Sequence, residues 1–239
     1  MIPKQCIIIG GGESIKEGLS SNLKEQIKDK FVVAINFACH HFDNTFTTFC
    51  DKKIWTGKLM GEHTAPIDQN HLKIIQKQLL IITISSSKIT PTDSLLVLEK
   101  NDRYLREMSL NKGFYMGHLT GVFAITVASF LMNYVGEIFL LGYDFTKKTA
   151  KNPIPATHYY TKEEINHRGQ EQTFFYNTHK GDNIFKMFIE QNLKMYNVSM
   201  TSTIDCFEKI TYEQMYSKLD TGIFNQDILR QEIKTKLKK

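Results

Sequence analysis

Apolar residues fall in short blocks along the chain, and the blocks differ in kind. Cys6-Ile7-Ile8-Ile9 is a continuous run that stops at Gly10-Gly11-Gly12-Glu13-Ser14. A run apolar on both faces and ended by glycines predicts a central strand of a parallel sheet entering a tight turn. Ser14 with Glu17 has capping-box spacing, so a helix is predicted to start there. Asn22 with Glu25 repeats the signal, and a break is predicted near residues 20–22. Further strands are predicted at 31–36, 45–51, 79–84 and 94–98, with a helix at 71–78. Strand, helix, strand in that order is the unit of a parallel sheet.

The second half repeats the theme. Residues 99–117 read as a polar loop, 119–134 as an apolar helix, and 137–145 as a strand ending in Gly142-Tyr143-Asp144-Phe145. Residues 146–181 have little apolar periodicity and hold two prolines and three histidines. A connection of that length predicts an insertion, here a lid over the edge of the site. Asp182 is expected to cap a helix over 183–196, followed by a last strand at 198–203, a helix at 212–219 and a basic tail over 220–239. The expected fold is α/β: one Rossmann-like domain over 1–239, with a mostly parallel sheet and helices on both faces.

Composition narrows the field. Hydrophobic residues make up 41% of the 239 and charged residues 23%, an ordinary globular mix. The net charge of +5 lies partly in Lys234, Lys236, Lys238 and Lys239, expected to be a solvated helix end. No basic stripe with interleaved aromatics points to nucleic acid. Cys6, Cys39, Cys50 and Cys206 show no Cys-x-x-Cys spacing, so neither a zinc site nor a redox pair is indicated. With no signal peptide in evidence, a cytoplasmic location is expected. Residues 113–136 contain no Asp, Glu, Lys or Arg and are long enough to span a bilayer. Their five internal polar residues, His118, Thr120, Thr126, Ser129 and Asn133, favour a buried helix, and no transmembrane span is expected.

Candidate chemistry gathers at predicted strand ends. Glycines after a central strand let backbone N–H groups approach an anion, so Gly10, Gly11, Gly12 and Ser14 are the candidate phosphate cradle. The turn is neither G-x-G-x-x-G, with Ile15 at the third glycine position, nor a Walker loop. Asn36, Asp51 and Asp144 stand at other strand ends, which in an open parallel sheet share one rim. His158-Tyr159-Tyr160, His167-Arg168 and His179-Lys180 supply candidate general acids, bases and phosphate ligands. His40, His41 and His63 have no persuasive metal-ligand spacing.

Taken in order, these motifs resemble a family. Gly-Gly-Gly-Glu-Ser14, Ala-Ile-Asn36 and Phe-Cys-Asp51 form one half, and Leu119-Thr120-Gly121 with Phe139-Leu-Leu-Gly-Tyr-Asp144-Phe145 the other. Thr157-His158-Tyr159 and Asn197-Val-Ser-Met-Thr-Ser202 add to it. The series, over roughly residues 5–205, resembles the MptE-like proteins. That group includes archaeal 6-hydroxymethylpterin diphosphokinases and phage-borne members. The series is also similar to the bacterial sialyltransferases of glycosyltransferase family 42. The resemblance implies a transferase using a nucleotide-activated donor. On the sialyltransferase pattern the donor is a CMP-sugar, no metal is required, and a histidine deprotonates the acceptor hydroxyl. His179 matches that base best, His158 is the rival, and Tyr159 or Tyr160 would contact the donor phosphate. Thr120 and Gly121 match the family's Ser/Thr-Gly helix start. On the diphosphokinase pattern the enzyme needs Mg²⁺, with Asp51 and Asp144 as nearest ligands. A non-catalytic nucleotide-binding accessory protein is the third reading. The partner is a nucleotide or nucleotide-sugar in either enzyme reading; the acceptor and a homo-oligomer are left open. Glu13 stands where the family turn has proline, and a carboxylate beside a phosphate costs binding unless it turns away or meets a cation.

Overall fold

A computed structural model describes residues 2–51, 54–55, 69–84, 89–101, 109–117, 119–145, 185–189 and 192–238. The β-branched and apolar runs become strands, because a residue apolar on both faces needs cover on both faces. They are β1 (Gln5–Ile9), β2 (Val32–Ile35), β3 (Phe46–Phe49), β4 (Ile81–Ile84), β5 (Leu95–Leu98), two-residue β6 (Lys100–Asn101) and β7 (Phe114–Tyr115), β8 (Gly136–Leu141), β9 (Leu193–Asn197) and two-residue β10 (Glu208–Lys209). Eight of them form one sheet in the order β10-β9-β8-β1-β2-β3-β4-β5, and every pairing in it is parallel. The chain runs outward from β1 to β5, crosses back to β8 beside β1, and continues to β10. The strand order therefore reverses between β1 and β8, as in a Rossmann-like fold.

Helices cover both faces. On one lie α1 (Ile15–Ser20), α2 (Leu23–Gln26), α3 (Gln69–Gln76) and α5 (Tyr212–Lys218), which pack Ile15, Leu23, Ile75 and Met215 against Ile7, Val32 and Ile81. On the other lie α4 (Thr120–Leu131) and α6 (Gln226–Leu237). Nine of the twelve residues of α4 are buried, because the helix is sandwiched between the sheet and α6. A helix apolar all round belongs in such a place. Its length answers the hydropathy of residues 113–136: among the described residues no helix is long and apolar enough to cross a membrane.

Several expectations are corrected. Residues 193–197 form β9 rather than the end of a helix over 183–196, and 198–203 is a loop. Of that predicted helix, Phe185 and Lys186 are helical, and Asp182 lies outside the described residues. The stretch 99–117 holds the short parallel pair β6–β7 within what reads as loop. The basic tail is a helix end, with Lys238 exposed and Lys234 and Lys236 partly so, but one face of it is buried. Its helix α6 buries Leu229, Ile233 and Leu237, and Lys236 donates to the carbonyl of Leu131 at 2.9 Å, closing the C-terminus of α4. The helix break near 20–22 is present, with Asn22 left-handed at φ 65°. The expected lid, 146–181, lies outside the described residues.

Candidate ligand site at the carboxyl rim

The register brings the predicted strand ends onto one rim. Ile9 pairs with Leu141 on one side and with Ala34 on the other, and Ile35 pairs with Thr48. Gly10, Asn36 and the segment 142–144 therefore leave the sheet side by side, at the point where strand order reverses. Ligands bind at such a point in open α/β sheets.

At the glycine turn the structure departs from the expected cradle. Gly10 N donates to the Leu141 carbonyl at 2.7 Å, and Gly12 N to the Gly142 carbonyl at 3.0 Å. The two chain segments lie so close that a Cβ on Gly12 would sit 2.5 Å from Cγ of Asp144. A Cβ on Gly10 would sit 2.9 Å from the Gly142 carbonyl oxygen. Gly142 itself has φ +69°, a conformation that favours glycine. Close approach of the chain to itself thus accounts for these glycines. Ser14 does not form the predicted capping box. Its Oγ donates to Asp144 Oδ1 at 2.5 Å, and its backbone N–H donates to Oδ2 at 2.9 Å. Asp144, 6% exposed, thus holds the residue that precedes α1 from the end of the neighbouring strand. Glu13 meets Lys16 at 2.7 Å, a cation beside its carboxylate.

The end of β8 is held from behind as well. Ser202 Oγ donates to the Tyr143 carbonyl at 2.7 Å, and Asn197 Nδ2 donates to Ser202 Oγ at 2.8 Å. Thr203 N donates to the Asp144 carbonyl at 3.0 Å. This polar cluster was readable in the sequence only as an Asn-x-x-x-x-Ser run. Its partners become visible once β9 is laid beside β8.

A second part of the rim is more open. Helix α4 begins after Leu119, an apolar N-cap that gives its first-turn amides no side-chain cap. That turn is tethered to the end of β8, where Tyr143 Oη donates to the Gly121 carbonyl at 3.0 Å, and Thr120 lies near the Cys50 thiol at the end of β3. Burial pushes that thiol up from its ordinary 9.0 to about 12, while Thr120 and Lys100 pull it down and Asp51 raises it. Tyr143 and Cys50 are two rim residues to which reading the motifs gave no role, since each stands directly before the aspartate that drew the attention. Thr120 and Gly121 are thereby held over the ends of β1 and β2, which lie between β8 and β3. Asn36 follows β2 at φ 52° with its amide oxygen buried and without a hydrogen-bond partner among the described residues. Asp51 is exposed on the same rim.

A twelve-residue helix whose N-cap residue gives no side-chain cap carries partial positive charge at its N-terminus and suits an anionic group. Asn36 and Asp51 offer acceptors for ribose hydroxyls or base amino groups. Among the described residues no group of three or more His, Cys, Asp or Glu is placed to hold a metal. Of the two candidate Mg²⁺ ligands, Asp144 has both oxygens on Ser14. His158, Tyr159, Tyr160 and His179 lie outside the described residues, as do Arg168, Lys180, His63 and His118. A broad depression of about 770 Å³ lies at the opposite end of the sheet, between Ile2, Met132 and α6, far from this chemistry. Comparison of the chain with family models, with curated proteins and with solved structures finds no match.

Proposed function

We propose that this chain is a nucleotide-dependent transferase whose activated donor, a CMP-sugar, binds on the carboxyl rim between Asn36 and the first turn of α4. One observation carries the reading: a helix start whose N-cap residue gives no side-chain cap, tethered to the end of β8, shares the rim with an asparagine whose buried amide oxygen lacks a partner among the described residues. A buried unpaired acceptor is costly, which supports a ligand donor at that place. In this reading the amides of Thr120 and Gly121 hold the donor's anionic group. Asn36 and Asp51 contact base and ribose. His179 takes the proton of the acceptor hydroxyl as its oxygen attacks the anomeric carbon and the nucleoside monophosphate leaves.

The test is a thermal-shift series with CMP, CMP-sialic acid, UDP-sugars, GDP-sugars and ATP, each with and without Mg²⁺. Ligand at a hundred times its Kd adds about 2.7 kcal/mol of stability. Asn36→Gly keeps the left-handed backbone and deletes the amide, so it isolates the contact. We expect a metal-independent shift with cytidine nucleotides, weakened about tenfold in affinity by Asn36→Gly. His179→Ala is expected to keep binding and lose about 10²–10⁴-fold in turnover. No shift with any cytidine nucleotide refutes the donor assignment.

A further inference from the structure

The glycine turn has the outward marks of a phosphate cradle: three glycines after a central parallel strand, at the reversal of strand order, leading into a helix. Four of its donors, however, are spent inside the chain, Gly10 N on the Leu141 carbonyl among them. Gly12 N is held by the Gly142 carbonyl, and both the N–H and the Oγ of Ser14 are held by the carboxylate of Asp144. That carboxylate also fills the space, since it lies within 2.5 Å of where a Cβ on Gly12 would be. It is buried, and Thr203 and Ser202 fix the backbone on either side of it.

We propose that Asp144 is a resident anion that occupies the glycine turn in place of a ligand phosphate and so determines which ligand groups the rim accepts. A carboxylate receiving two hydrogen bonds from Ser14 does what a phosphate oxygen pair does at such a turn. An incoming phosphate would find the Gly12 and Ser14 donors engaged and a like charge at contact distance. The β1–β8 end of the rim therefore admits hydroxyl or other neutral donor groups, for which Asp144 is an acceptor, and excludes phosphate. The inference deepens the transferase reading by assigning the negative end of its rim, and it rests on that reading only for the ligand that arrives there.

The experiment is amide NMR on the full ¹⁵N-labelled chain, titrated with inorganic phosphate and, separately, with CMP. In the wild type, phosphate is expected to leave the Gly12 and Ser14 amides unmoved. Asp144→Ala frees Ser14, and its Gly12 and Ser14 amides are expected to shift saturably, with a phosphate Kd at least tenfold below any wild-type value. Should Asp144→Ala fail to fold, Asp144→Asn removes the charge while leaving Ser14 an acceptor, and a gain of phosphate binding is expected there too. Saturable movement of the wild-type Gly12 and Ser14 amides by phosphate overturns the proposal. So does the absence of any gain in a folded Asp144 variant. CMP reports separately: if it moves no amide on the rim, the nucleotide reading falls, while the phosphate result still decides the role of Asp144.

Discussion

Replacing Gly12 by alanine is the sharpest probe of how tightly the β1 turn is joined to the end of β8. No positive φ stands against a side chain at Gly12, so the cost is one of contact alone. The new methyl would lie 2.5 Å from Cγ and Oδ2 of Asp144 and 2.7 Å from the Gly142 carbonyl oxygen. Neither neighbour yields easily: one is backbone, the other a buried carboxylate bound twice to Ser14. Overpacking of this kind costs about 1–3 kcal/mol. If Asp144 moves, a charge-assisted hydrogen bond worth about 1.5–3 kcal/mol weakens too. A loss of about 3 kcal/mol is expected, or roughly 6–12 °C in Tm for a chain of this size. Urea unfolding with a thermal scan gives the number. Gly222→Ala is the control, because its Cβ meets only the Phe224 ring at 3.5 Å, and it should stay within about 0.5 kcal/mol of wild type. In the double variant Gly12→Ala, Asp144→Ala the clash with the carboxylate is gone, so the two costs should fall short of additivity by about 1 kcal/mol or more. A Gly12→Ala protein within about 0.5 kcal/mol of wild type refutes the close-packed turn.

Other outcomes follow from the same structure. Ile233, fully buried in α6, should cost about 2–5 kcal/mol as alanine, whereas Ile228, 60% exposed on the same helix, should stay within about 0.5 kcal/mol; equal effects would mean that α6 does not pack as described. Burial raises the thiol of Cys39 from 9.0 to about 11 and that of Cys50 to about 12, and pushes Cys6 up as well. The folded chain therefore holds these protons to higher pH than the unfolded one. This contribution is complete below pH 9 and is lost as pH rises through 11–12, with Lys236, lowered by burial, acting in the opposite sense. Urea midpoints at pH 8 and pH 10.5 should fall, and fall less in Cys39→Ala; a midpoint that rises contradicts the buried thiols.

The strands of the first half are visible in the sequence because continuous β-branched runs have few other homes. Cys6 to Ile9 and Val32 to Ile35 are buried on both faces. The end of the chain is read less well for a definite reason. In β9, Leu193, Met195, Tyr196 and Asn197 are buried while Lys194 is exposed, a pattern compatible with either period over so few residues. The helix α6 is mostly polar by composition, and its buried face of Leu229, Ile233 and Leu237 is hidden among lysines and glutamines.

By itself the sequence determined the parallel α/β class, the short central strands and the rim on which polar residues follow them, since apolar runs and glycine punctuation are local properties. It named Ser14, Asn36 and Asp144 as rim residues on the same ground, while Thr120 and Gly121 entered only through the family resemblance. What each of them touches was decided by tertiary structure alone. Asp144 and Ser14 are 130 residues apart, and nothing local distinguishes a glycine turn awaiting an anion from one already filled by the chain's own carboxylate. That difference depends on β8 lying against β1, a long-range pairing that brings the carboxylate within hydrogen-bond reach of the turn.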